Sequence, residues 1–216
     1  MQRFDKMLKL DENKLKHLKG TTTVGVVCKN GVVFATDSRA TAGYLVASKV
    51  ARKIYKIADN IAFTTAGGVA DTQRLVDVMR AEAGYYRLHE GVPMKVGACA
   101  RLLSNVMNAY SFIPYIANIL VGGVDSEGPH LYFLDIDGGL TEENMTATGS
   151  GSPVAYGVLE NEFKPKMTTE EALPIAIRAV KTAMKRDIAT GNEVMAAHIT
   201  SKGYRELTPV EIKELA

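Results

Sequence analysis

The sequence predicts an α+β fold, a four-layer αββα sandwich in which two stacked, mainly antiparallel sheets are flanked by helix pairs. Three observations lead there. Hydrophobic periodicity changes along the chain in blocks: strands, two helices, strands, two helices, strands. Runs grouped in this way favour layered α+β packing over alternating βαβ units. Each helical block carries one apolar stripe, which stacked sheets with helices outside would bury. Finally, Asn30-Gly31 lies between two apolar runs, a strong short signal for a hairpin and hence for antiparallel pairing.

The elements follow in order. Thr22–Lys29 and Val32–Asp37 read as the first two strands, and Ile54–Ile57 and Ile61–Thr65 as a second pair joined around Asp59-Asn60. The period then becomes helical: Leu75, Val76, Met79, Ala83 and Tyr86 share one face between Val69 and Glu90. After Gly91-Val92-Pro93 a second stripe runs through Val96, Cys99, Leu103, Val106 and Tyr110, with Pro93 suited to a first helical turn. Strands return at Ile116–Val124 and His130–Asp135. A third helix opens near Ser152-Pro153. A fourth opens at Thr168, whose spacing to Glu171 fits a capping box, and carries Leu173, Ala176, Ile177, Val180 and Met184 inward. Strands Glu193–Thr200 and Gly203–Leu207 close the domain.

With 216 residues, one domain is expected, and 46% hydrophobic content can fill its core. No apolar run reaches the roughly 18–20 residues of a membrane span. Cys28 and Cys99 each sit in an apolar stretch and make no disulfide framework, which suits buried reduced thiols and a cytoplasmic location. The net charge of +2 is uneven: residues 1–20 carry +3 and the remainder −1. The body therefore has no basic footprint for nucleic acid. The leader lacks the apolar core of a secretory signal and contains acids that a transit peptide avoids. It can form a short helix from Asp11 to Gly20, and its composition suits a detachable prosegment.

The segment Gly20-Thr21-Thr22-Thr23-Val24-Gly25 follows the leader. A threonine hydroxyl is a poor nucleophile without an adjacent base, and cutting the chain before Thr21 would supply its own α-amine as that base. Such an amine has a pKa of roughly 7.7–8.0, close to working pH. Thr-Thr-Thr-Val also suits the plain start of a strand. The other candidates are less pointed. His130 and His198 stand at strand positions with no Cys or acid at metal-ligand spacing, so no zinc site is expected. Three glycine-rich patches, Ala66-Gly67-Gly68, Gly122-Gly123 and Gly149-Ser150-Gly151-Ser152, match neither the Walker nor the Rossmann spacing and read as tight turns. Gly67 falls where a strand gives way to a helix, so its N–H can point into a cleft as an oxyanion donor. Asp187 continues the apolar face of the fourth helix, where an acid is buried, paired or turned toward a site. Asp37 ends a strand and Lys53 begins one; Lys49, Arg52 and Lys56 compete with Lys53, and strand parity does not separate them.

Together these segments resemble the β-type subunit of the 20S proteasome, a threonine peptidase of the N-terminal-nucleophile hydrolase class, over essentially all of residues 21–216. The landmarks are Gly20–Gly25, Ala35-Thr36-Asp37-Ser38-Arg39, Thr65-Ala66-Gly67, Leu102-Leu103-Ser104-Asn105, Gly122-Gly123-Val124-Asp125, Thr148–Pro153 and Lys185-Arg186-Asp187. The likeness is greatest to archaeal forms. It implies a cleaved propeptide at 1–20 and a catalytic domain at 21–216, with Thr21 as nucleophile, Lys53 beside it and Asp37 paired to Lys53. It also implies Gly67 as oxyanion donor and Ser150, Asp187 and Thr190 completing the network around the Thr21 amine; Thr190 stands where family members often carry Ser. Substrate-pocket positions map to Ala40, Thr41, Ala51, Tyr55, Thr65 and Val69, with Thr65 more polar than a chymotrypsin-like pocket would have. No cofactor and no metal are implied. The implied partners are further copies in a heptameric ring, proteasome α-type subunits, an AAA-type unfoldase ATPase and polypeptide substrates. A non-catalytic ring subunit, the shorter bacterial two-tier protease and a nucleotide-binding protein using the glycine patches are the competing readings. Presence of Thr21, Asp37 and Lys53 speaks against the first, and the helices with Gly149–Pro153 speak against the second.

Overall fold

The computed structural model describes residues 20–215, so the leader helix expected at Asp11–Gly20 lies almost wholly outside the described residues. Among the described residues, twelve strands and five helices follow one another as β1 (Thr23–Cys28), β2 (Gly31–Asp37), β3 (Ala40–Ala42), β4 (Leu45–Ser48), β5 (Ile54–Ala58), β6 (Ile61–Gly67), α1 (Val69–Glu90), α2 (Val96–Ala109), β7 (Ala117–Asp125), β8 (Gly128–Leu134), β9 (Leu140–Glu142), β10 (Met145–Thr148), α3 (Ser152–Glu162), α4 (Thr169–Met184), β11 (Val194–Thr200), β12 (Gly203–Glu206) and α5 (Pro209–Glu214). One five-stranded sheet has the order β10-β1-β2-β11-β12, the other β5-β6-β7-β8-β9, and every pairing is antiparallel.

The sandwich is visible in how β2 divides its side chains. Val33 and Ala35 join the core under α3 and α4, whereas Val32 and Phe34 meet Leu120, Leu131 and Ile199 between the sheets. This period-two split places both faces of the strand in apolar surroundings. A third core, with Phe63, Leu75, Met79, Leu103 and Ile119, lies between the second sheet and the α1–α2 pair. Four layers result, as the alternation of periods requires.

Several local expectations are corrected. The first hairpin turns at Lys29-Asn30, and Gly31 already pairs with Cys28 inside β2. Asn30 is not spent on the turn: its Oδ1 accepts the Thr169 N–H (2.8 Å) and its Nδ2 donates to Thr169 Oγ1 (3.1 Å), docking the start of α4. Pro93 lies outside α2, which begins at Val96 because Asp125 Oδ2 takes the Val96 N–H at 2.8 Å. The stripe ends at Ala109, leaving Tyr110 as the C-cap. Strands β3, β4, β9 and β10 are short pieces of four residues or fewer, too brief for alternation to stand out, and the chain closes on a helix, α5, rather than on β12. The capping box of Thr168 and Glu171 on α4 forms as the spacing predicts. Both cysteines are free and buried, and burial pushes each thiol up to about 12.

Candidate active site

Thr21 stands immediately before β1, where Thr23 pairs with Thr36 of β2 on one side and with Thr148 of β10 on the other. The two neighbouring strands deliver the chemistry. Asp37, the last residue of β2, is fully buried and receives every polar group near it. Its Oδ1 accepts from Thr21 Oγ1 (3.1 Å), the Thr22 N–H (3.0 Å) and Lys53 Nζ (2.7 Å). Its Oδ2 accepts from the Arg39 N–H (3.0 Å) and the Gly191 N–H (2.9 Å). A buried carboxylate is tolerated only when paired and hydrogen-bonded in this way.

Lys53 also donates directly to Thr21 Oγ1. Of the four basic residues that strand parity left open, it alone is buried; Lys49, Arg52 and Lys56 are exposed, and Arg52 and Lys56 pair with Glu206 and Asp59. Burial lowers the Lys53 pKa from its ordinary value, with the Asp37 charge acting in the opposite sense. An amine held in this state sits closer to proton exchange than a surface lysine does.

A second arm reaches the Thr21 backbone. The Thr21 N–H donates to Ser150 Oγ (3.2 Å), and Ser150 Oγ donates to Asp187 Oδ2 (2.5 Å). Thr190 Oγ1 donates to the same oxygen (2.5 Å), which leaves the Thr22 hydroxyl to donate to Thr190 Oγ1 (2.7 Å). Asp187 is thus not the last turn of a helix in water. Helix α4 ends at Met184, and the carboxylate faces two hydroxyls and the Ala189 N–H (3.1 Å). The glycine-rich patch at 149–151 also finds its purpose. A Cβ on Gly149, whose φ is +93°, would lie 2.2 Å from the Thr21 carbonyl oxygen, and one on Gly151 would lie 2.1 Å from Thr22 Oγ1. The patch is a cradle for the Thr21-Thr22 backbone, not a phosphate loop.

A small cavity of about 30 Å³ opens beside Thr21. Ala40, Ala51, Tyr55, Thr65, Gly67 and Val69 line it, all of them expected from sequence. Thr41 does not; its Oγ1 instead accepts the Gly20 N–H at 3.1 Å. Gly67 closes β6 with φ +148°, where a Cβ would meet the Ile116 carbonyl oxygen at 2.1 Å, so glycine is required. Arg39 and Thr72 were missed by sequence reasoning. Thr72 is one helical turn beyond Val69 and could have been found by that spacing. Arg39 donates to Asn192 Oδ1 (3.0 Å) and to the Ile188 carbonyl (2.7 Å), tying the end of β2 to the loop that carries Asp187 and Thr190. His130 departs from expectation too: Asp125 and Glu127 gather around it, so acids do stand at ligand distance. No helix among the described residues is long and apolar enough to cross a membrane.

A family model described as "Proteasome subunit" matches residues 17–199. The chain is 48% identical over 198 residues to a proteasome subunit beta of Methanosphaerula palustris, covering 91% of this chain and 94% of that one. It is 49% identical over 201 residues to the Ferroglobus placidus protein of the same name, covering 93% and 96%. For that of Archaeoglobus fulgidus the identity is 47% over 201 residues, covering 93% and 94%. A match of this extent leads to one statement: the chain belongs to the proteasome subunit family.

Proposed function

We propose that this chain is a threonine-type endopeptidase, the catalytic β subunit of a 20S proteasome core, and that it hydrolyses peptide bonds of unfolded proteins. The observation that carries the reading is a single hydroxyl: Thr21 Oγ1 lies between Lys53 Nζ and Asp37 Oδ1, next to the Gly20-Thr21 peptide bond and at the edge of a cavity.

Residues 1–20 act as a propeptide. In the uncut chain the hydroxyl attacks the carbonyl carbon of Gly20, giving an ester through an N→O acyl shift, and water hydrolyses that ester to free the Thr21 amine. Gly20 suits this step, because any Cβ there would lie 1.7 Å from Ala189 Cβ. In the mature enzyme the α-amine takes the hydroxyl proton as the oxygen attacks a substrate carbonyl, and later returns it to the leaving amine. Lys53 stabilises the oxygen as charge develops, Asp37 fixes Lys53, and the Gly67 N–H receives the oxyanion. Ser150, Asp187 and Thr190 hold the amine. Gly20 lines the cavity in the uncut chain, so this residue itself borders the substrate cleft until it is cut away.

The active form is a heptameric ring stacked with a second ring between rings of α-type subunits, in the cytoplasm, supplied by an AAA-type unfoldase. Replacement of Thr21 is the direct test. Thr21→Ala should abolish processing and hydrolysis with the fold intact, and Thr21→Ser should keep part of both. Near-normal hydrolysis by Thr21→Ala would transfer the nucleophile to another residue and defeat the proposal.

A further inference from the structure

We propose that Asp125, Glu127 and His130 form a binding site for a transition-metal dication of the zinc class, at the end of the molecule opposite the cleft. Strand β7 runs from Ala117, which pairs with Gly67 beside the cavity, to Asp125, which pairs with Gly128 at the far end. The turn between β7 and β8 carries Glu127, and His130 follows two residues into β8. One ligand atom from each of the three residues lies within 4.8 Å of the other two.

The histidine is prepared for a ligand. Its Nδ1 is hydrogen-bonded to Glu142 Oε1 of β9 at 2.7 Å, which fixes the ring and assigns the proton to that side. Its Nε2 is buried and has no hydrogen-bond partner among the described residues. A carboxylate behind an imidazole, with the other nitrogen left without a hydrogen-bond partner, is the usual outer support of a metal-bound histidine. Asp125 Oδ1 is 3.7 Å from Nε2, too far for a hydrogen bond. Two ligands about 2.0–2.2 Å from a tetrahedral ion stand roughly 3.4 Å apart, so the gap needs to close by only a few tenths of an ångström. Asp125 is itself held: the Val96 and Glu127 N–H groups each bind one of its oxygens at 2.8 Å, and each oxygen keeps a free lone pair.

Glu127 is the most exposed member. It is exposed and pairs with the exposed Lys95 at 2.5 Å, a contact that a dication would replace. Asp125, Glu127 and Glu142 outweigh Lys95, so the surroundings of the imidazole are net anionic. One imidazole with two carboxylates suits zinc and its neighbours; calcium and magnesium take all-oxygen shells. Because Asp125 also caps α2 at Val96, a bound ion would tie the β7–β8 turn and α2 together. The competing arrangement is a metal-free cluster in which a protonated His130 is shared between carboxylates.

Equilibrium dialysis of the untagged full chain against Zn²⁺, with wild type and variants in parallel, decides between them. We expect a site whose affinity falls about 10–100-fold in Glu142→Gln and which is lost in His130→Ala and in Glu127→Gln. The thermal midpoint should rise with Zn²⁺ in wild type only, and Ca²⁺ should not compete. Glu127 lies on an exposed turn, so Glu127→Gln decides the matter if His130→Ala fails to fold. Undetectable Zn²⁺ binding by wild type, or unchanged affinity in Glu127→Gln, would overturn the site and leave the metal-free cluster.

Discussion

Thr21 owes its proposed reactivity to three contacts made by its own atoms: Lys53 and Asp37 on the hydroxyl and Ser150 on the nitrogen. Lys53 is the one whose role is separable. Removing a group that stabilises developing charge commonly costs about 3–4 kcal/mol, or roughly 10²–10³ in turnover. Lys53→Ala should therefore lower peptide hydrolysis by at least that factor while Lys56→Ala, which loses only an exposed pair with Asp59, changes it little. Equal effects would remove Lys53 from the mechanism. A second residue is expected to contribute to acid sensitivity. Burial lowers the His198 pKa below its ordinary 6.5, with Arg205 acting in the same sense and Glu170 and Glu211 opposing. Below pH 6.5 the unfolded chain thus binds a proton that the folded one does not, and stability falls as pH drops toward the lowered folded value. Urea midpoints at pH 7 and pH 5.5 should drop more for wild type than for His198→Asn; equal drops would exclude the histidine as a source of acid lability.

Among the elements, α4 shows what a short sequence signal is worth. Thr168 and Glu171 bind each other's backbone N–H groups at its start. Loss of such a cap costs about 1 kcal/mol, so Thr168→Ala should lower the unfolding free energy by that much, read as a lower denaturant midpoint with the slope unchanged, and no shift would mean that Asn30 alone anchors the helix. Local patterns of this kind made seven longer strands, the four-residue β12 and four main helices legible in the sequence, together with the layer order. The short strands β3, β4, β9 and β10 left no such trace. Strand parity could not choose Lys53 from its basic neighbours, because the choice depends on burial, which β5, β6 and β2 create jointly. Asp187 was legible as an acid out of place, yet its partner Ser150 comes from another segment that only packing brings near, while Thr190 follows three residues later in the same loop. Arg39 was legible as part of a motif but not as a brace, since its partners lie about 150 residues away in the chain.

At the scale of the molecule, the surface argues for partners. Tyr44, Leu45 and Val50 on and beside the β3–β4 hairpin, and Phe112 and Ile113 after α2, are large apolar side chains left in solvent. Apolar clusters of this kind mark interaction surfaces. The small residues Cys99 and Ala100, by contrast, are buried in the core of their own domain and offer no outer face. Sedimentation of the chain with and without its α-type partner should therefore find hydrolysis in the large assembly only, and full activity in a monomeric fraction would contradict the ring. The cores should also shield Cys28 and Cys99, whose thiols are pushed up to about 12: neither should react with a thiol reagent at pH 8 until the protein is unfolded, and rapid modification of the native form would contradict the packing. The central claim, that Thr21 becomes an N-terminal nucleophile, is tested most directly by the intact mass and terminal sequence of the assembled, active protein. The account predicts a chain that has lost residues 1–20 and begins Thr-Thr-Thr-Val; active particles still carrying Met1 would contradict it.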